Sequence, residues 1–202
     1  MYNRRLVQGV GVNDSPILTT LEDGTRDPSY MKWKGILNRV YSKKALIQQP
    51  CYFNSTVSED FLIFSKFKDW HVNQVGYGEV GYDVDKDLLV KGNSVYSPST
   101  CVLLPKEINL FMIKRISSGC AINPLPIGVY YHKTNKKYRS QINDNGKRKS
   151  LGYFKTPEEA FYAYKEAKEQ QAKSLANKWE GKIDERAYNA LLNYTVDIED
   201  LS

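Results

Sequence analysis

Asp83, Asp85 and Asp87 alternate along the segment Tyr82–Leu88, and Asn109 follows further down the chain. Alternate residues of a strand share a face, so in extended conformation the three carboxylates line one side. Carboxylate and amide oxygens are the donors that hard divalent cations accept. Such an ion can steady charge on a scissile phosphate and lower the pKa of an attacking water. Phosphodiester hydrolysis also needs a base, and Lys86 stands inside the acidic run. A lysine serves only when its pKa falls well below its ordinary ~10.4. Alternating acids on an exposed edge strand also have a plain structural use, since they discourage edge pairing.

A second group is cationic. Between Gly128 and Lys155 stand Lys133, Lys136, Lys137, Arg139, Lys147, Arg148, Lys149 and Lys155, with Asp144 the only acid. The positive excess of the chain, a formal charge of +6, is concentrated in this segment. On a strand, Lys137, Arg139 and Gln141 face one way while Tyr138, Ser140 and Ile142 face the other. A small sheet with one cationic face can enter a major groove about 12 Å wide and meet phosphates or guanine edges. Charge alone is equally compatible with a merely solvated basic face.

The elements that must position these groups follow from local signals. Asp27-Pro28 caps a helix on which Tyr30, Trp33, Leu37 and Tyr41 fall at helical spacing. After Ser58, Phe61, Phe64, Phe67 and Trp70 recur every third residue and predict a second, core-facing helix. From Tyr82, Val84, Lys86 and Leu88 alternate with the acids, Lys91-Gly92-Asn93-Ser94 supplies turn chemistry, and Ser99 to Leu104 is β-prone. Pro105 opens a helix from Lys106 to Ile116. Strand, turn, strand and helix follow in that order, and the arrangement is expected to bring Asp85 and Asn109 together.

The small residues, glycine and prolines of Ser117 to Pro126 mark a boundary. Beyond it, Gly128 to Tyr131, Lys137 to Ile142 and Lys149 to Phe154 read as three strands. Thr156-Pro157-Glu158-Glu159 is a capping box that opens a helix whose packed stripe is Ala160, Tyr164, Ala167, Gln171 and Leu175. Ala187, Tyr188, Leu191 and Leu192 suggest one further helix in an acidic tail that docks back on the fold. No stretch reaches the ~20 apolar residues of a membrane span, and Met1-Tyr2-Asn3-Arg4-Arg5 lacks a signal-peptide core, so a cytoplasmic protein is expected. Cys51, Cys101 and Cys120 are odd in number and lack a C-x-x-C partner, which points to reduced structural thiols.

Two resemblances sharpen this reading. GVYYHKTNKKYRSQINDNGKRKSLGYFKTPEEAFYAYKEAK resembles the plant ethylene-response-factor (Apetala-two) DNA-binding domain, as that domain also occurs inside phage endonucleases and integrases. It implies a three-stranded antiparallel sheet backed by one helix, with Lys133, Lys137, Arg139, Arg148 and Lys149 on duplex DNA. The plant domain's tryptophans on that face are absent, so its sequence preference does not carry over. DKDLL, GN, YSP and TC followed by Asn109, with Trp33, Arg39 and FLIFSKFKDW upstream, resemble the HNH (ββα-metal) module of phage endonucleases. That resemblance implies Asp85 and Asn109 as ligands of Mg²⁺ or Mn²⁺, and Thr100 as a residue that fixes the loop. Lys86 occupies the place where the best-known members carry a histidine base, and lysine is usual there in the phage subgroup. His71 and His132 lie elsewhere, His71 as a core or surface residue.

The expected fold is therefore α+β: an HNH-like domain over 1–118 with the ββα motif near 81–116, a linker over 119–126, a DNA-binding domain over 127–180 and an acidic helical tail over 181–202. The expected function is a metal-dependent DNA endonuclease of free-standing phage homing type, acting on double-stranded DNA without a membrane or small-molecule cofactor. Asp85, Lys86 and Asn109 would act at the cut, and Lys91 and Lys106 would hold flanking phosphates. The alternative is a catalytically inactive DNA-binding protein, a regulator or anti-defence factor. RNA binding is the weakest reading, because a basic rather than aromatic face suits a groove better than unstacked bases.

Overall fold

A computed structural model describes residues 6–15, 19–113, 125–144 and 146–199. The chain divides into two compact units, residues 1–110 with 181–187, and residues 111–180 with 188–202. The division falls at Leu110 rather than in the linker expected over 119–126, of which 119–124 lie outside the described residues. The tail expected over 181–202 is shared between the units.

In the first unit, α1 (Pro28–Tyr41) starts where predicted. Asp27 Oδ1 accepts from the backbone amides of Ser29 at 2.8 Å and Tyr30 at 3.2 Å, satisfying two of the helix's orphan donors. Its stripe of Trp33, Ile36, Leu37 and Val40 is buried. α2 (Lys43–Gln48), a 3-10 turn over Pro50–Tyr52 and β1 (Thr56–Val57) follow.

The aromatic segment predicted as one helix is two, α3 (Glu59–Leu62) and α4 (Phe64–Val72). Between them Ile63 is extended, at φ −102° and ψ 121°, where Val12 donates to Leu62 O and Phe64 donates to Val12 O. A strict three-residue spacing drifts around a 3.6-residue helix; the break resets the phase, and Phe61, Phe64 and Phe67 are all buried. Ring centroids of Phe61 lie 5.0 Å from Phe67 and 4.8 Å from Trp70.

β2 (Tyr82–Asp85) pairs antiparallel with β4 (Val102–Pro105), Tyr82 opposite Pro105 and Asp85 opposite Val102. Between them β3 (Val95–Tyr96) leaves the hairpin to pair in parallel with β1. β4 runs directly into α5 (Lys106–Met112), shorter than predicted; residues 114–116 lie outside the described residues. The order strand, strand, helix is as expected. Within the late segment that belongs to this unit, Lys182 O accepts from Tyr82 Oη at 2.9 Å, and Arg186 Nη1 donates to Ser99 O.

The second unit holds a three-stranded antiparallel sheet, β5 (Val129–His132), β6 (Lys137–Asp144) and β7 (Lys147–Phe154), in that order. Its register shifts at Ser140/Gln141, where Ser140 faces Gly152 but Gln141 faces Ser150. α6 (Pro157–Trp179) opens with the predicted capping box: Glu159 N donates to Thr156 Oγ1 at 3.2 Å, and Thr156 N to Glu159 Oε2 at 3.4 Å. Val129, Ile142, Ala160, Phe161, Tyr164 and Val196 form the core between sheet and helix. Gly128, at φ +79°, lies where a Cβ would collide with the Tyr164 ring.

α7 (Glu185–Leu192) carries the expected late helix, and the residues after it dock on α6. Lys165 Nζ donates to Val196 O at 2.7 Å, and Val196 N to Glu169 Oε1 at 3.2 Å. Lys168 Nζ donates to Phe111 O at 2.7 Å and sits 3.5 Å from the centre of the Phe111 ring. Burial lowers its pKa to about 8.

Candidate nucleic-acid interface

The three aspartates of the first unit do not act as one group. β2 ends at Asp85, so the alternation that would keep Asp87 on the same face stops there. Asp83 faces α1, with Lys32 Nζ at 3.1 Å and Arg39 Nη2 at 3.7 Å. Asp85 is buried, and its Oδ1 accepts from the amides of Asp87 at 3.0 Å and Leu88 at 2.8 Å. Burial raises the Asp85 pKa, partly offset by the hydrogen bond from Leu88. Asp87 takes the Lys86 ammonium at 2.5 Å.

Lys86 is itself only 7% exposed, and its Nζ also donates to Asn93 O at 3.2 Å. Asn93 Nδ2 returns a bond to Lys86 O at 2.6 Å and another to Val95 O at 2.9 Å. Thr100 Oγ1 donates to Val95 O at 2.7 Å, so Thr100 fixes this loop as expected. Asn109, in the second turn of α5, donates from Nδ2 to Leu104 O at 3.0 Å. Asp85 and Asn109 share no hydrogen bond, and among the described residues no three His, Cys, Asp or Glu side chains gather to hold a metal ion. Lys91 and Lys106 are both exposed. His71 belongs to the core: it is 4% exposed, its Nδ1 lies 2.9 Å from Ser29 Oγ, and it stacks on Phe67. Burial pulls its pKa down to about 4, with Lys32 adding to the shift.

In the second unit, residues directly opposite in antiparallel pairs share a face. Tyr130 lies opposite Arg139, which lies opposite Tyr153; His132 lies opposite Lys137. Past the bulge, Gln141 faces Ser150 and Asn143 faces Arg148. One face therefore carries Tyr130, His132, Lys137, Arg139, Gln141, Asn143, Arg148, Ser150 and Tyr153. The other supplies the core with Val129 and Ile142 and turns toward α6. Residues 124–174 match the AP2 domain model. The match indicates DNA binding. No curated protein and no solved structure matches the chain.

Within the AP2 domain, three of the expected contacts, Lys137, Arg139 and Arg148, fall on the outward face. Lys133 stands in the β5–β6 turn, where Lys136 N donates to Lys133 O, and is exposed at the rim of that face. Lys149 is different: it lies opposite Ile142, so the register sends it toward the helix side although it remains exposed. The face is also less purely basic than expected. Tyr130 is 40% and Tyr153 42% exposed, and both flank Arg139. Sequence reasoning missed them because it fixed alternation only within β6; cross-strand register and the bulge decide which residues of β5 and β7 join that face.

Proposed function

We propose that this chain is a metal-dependent DNA endonuclease in which the AP2 domain holds double-stranded DNA and the β2–β4–α5 segment hydrolyses it. DNA binding rests on the AP2 match and the cationic outward face of its sheet. Hydrolysis rests on one observation: a buried carboxylate, Asp85, ends the first strand of an antiparallel pair that runs straight into the helix carrying Asn109.

The donor chemistry fits a hard cation with few protein ligands. Both backbone bonds to Asp85 fall on Oδ1, which leaves Oδ2, and Asn109 uses its Nδ2 on Leu104 O, which leaves its amide oxygen. Mg²⁺ characteristically keeps several waters and takes one or two carboxylates together with substrate phosphates, and Mn²⁺ accepts the same oxygen donors. Bound there, the ion would supply charge for the scissile phosphate and an activated water. Asp85 and Asn109 would hold it, and the exposed Lys91 and Lys106 would pair with neighbouring phosphates. Lys86, committed to Asp87 and Asn93, orders the loop beside Asp85.

That same commitment favours a second reading, a DNA-binding protein without nuclease activity, since the residue in the usual place of the base has a structural occupation. Supercoiled and linear DNA incubated with wild type, Asp85→Ala and Asn109→Ala in Mg²⁺, Mn²⁺ or EDTA separates the two. Metal-dependent nicking or cutting by wild type alone, with both variants still binding, is the expected result. Tight binding with no cleavage under any condition replaces the nuclease with the second reading.

A further inference from the structure

Arg139 is held from two sides on the outward face of the AP2 sheet. Its Nε donates to Ser150 Oγ at 3.2 Å, and its guanidinium carbon lies 6.0 Å from the centre of the Tyr153 ring. The Tyr153 ring is braced in turn by His132, whose ring centre lies 5.2 Å away at an interplanar angle of 79°. The bulge at Ser140/Gln141 makes this possible. Tyr153 stands opposite Arg139 while Ser150 stands opposite Gln141, so both reach the same arginine from one strand. Nη1 and Nη2 make no hydrogen bond among the described residues, and the ring is 42% exposed.

A guanidinium whose Nε is already satisfied presents its two terminal nitrogens as a fork. In the major groove the matching partner is the O6/N7 edge of guanine. An exposed aromatic ring beside it offers apolar contact, and the one apolar group that bases present in that groove is the C5-methyl of a pyrimidine. Arg139 and Tyr153 stand directly opposite on neighbouring strands, with the guanidinium carbon 6.0 Å from the ring centre; that is more than the rise of about 3.4 Å between stacked pairs, so the fork and the ring are assigned to separate, adjoining pairs. From this geometry we infer that Arg139 and Tyr153 form one reading unit for a guanine stacked on a C5-methylated pyrimidine. Thymine and 5-methylcytosine both carry that methyl. Ser150 positions the fork, and His132 positions the ring.

The inference rests on the reading that the sheet face meets duplex DNA. It is tested by selecting bound sequences from a random duplex pool with the full chain, then measuring binding to a selected duplex and its analogues. The selected duplexes are expected to share a thymine–guanine step. Replacing that thymine by deoxyuridine weakens wild-type binding about fourfold, the worth of one buried methyl. Tyr153→Ala loses this discrimination and Tyr153→Phe keeps it; both are checked for a wild-type circular dichroism spectrum. Cytosine in the same place binds as weakly as deoxyuridine, and 5-methylcytosine restores affinity. Replacing the guanine by 7-deazaguanine weakens wild type but not Arg139→Ala. Equal binding of the thymine, deoxyuridine and 5-methylcytosine duplexes, with DNA still retained, overturns the paired reading while leaving sheet-mediated binding intact. Retention of no duplex from the pool overturns both.

Discussion

The indole Nε1 of Trp33 donates to the backbone oxygen of Phe61 at 2.7 Å, with both residues only 1% exposed. The bond ties the middle of α1 to α3, so the aromatic cluster is fixed by a polar contact as well as by packing. Trp33→Phe retains an aromatic ring but leaves a buried carbonyl without its donor. The expected cost is about 1–3 kcal/mol, read as a lower urea midpoint with an unchanged slope.

His71 makes stability pH-dependent in a defined direction. Its folded pKa of about 4 lies below its ordinary 6.5, so between these values the unfolded chain binds a proton that the folded chain does not. Stability is then lost as pH falls from about 6.5 to 4. The urea midpoint of wild type minus that of His71→Phe should fall as pH is lowered across that window; a constant difference would show that the His71 pKa is the same in the folded and unfolded chains.

Lys168 acts in the same sense at higher pH. Its pKa is lowered to about 8 from 10.5, and in that interval the unfolded chain is again the one that holds the extra proton. Stability should rise as pH climbs from about 8 to 10.5. Lys168→Met should lack that rise.

The collision of a Gly128 Cβ with Tyr164, together with φ +79°, makes this glycine a backbone requirement. Gly128→Ala is expected to cost roughly 3 kcal/mol or more. It should abolish DNA retention through loss of the sheet, visible in circular dichroism.

Salt dependence distinguishes residues that meet phosphates from those that are merely charged. Lys137→Ala or Arg148→Ala should each reduce the slope of log K against log salt by about 0.9 if that residue neutralises one phosphate. Lys149→Ala, opposite Ile142 and off the face, should leave the slope unchanged.

Much of this architecture was legible in the residues. The Asp27 cap, the Thr156–Glu159 box and the three strands of the AP2 domain are local signals, complete within a few positions, and each formed where predicted. What escaped detection depends on partners distant in sequence. β1 and β3 have two residues each, too few for a period, and exist because Thr56 and Val57 find Val95 and Tyr96. The break at Ile63 needs Val12. Asp83, Asp85 and Asp87 looked equivalent by spacing, yet Lys32 and Arg39, the Leu88 amide and Lys86 divide them among three different tasks.

The first unit takes its last piece, Gly181–Ala187, from beyond the AP2 sheet. On the ribosome, β5, β6 and β7 therefore emerge before the N-terminal unit has all its residues. Tyr82 waits, with its hydroxyl uncommitted to Lys182, until some hundred residues later in synthesis. The second unit in turn receives Val196 of its core only after Gly181–Ala187 have been made, so each unit waits for residues beyond the other's strands, and a protease nick near Glu180 would strip a partner from the N-terminal unit while leaving the sheet's own strands uncut.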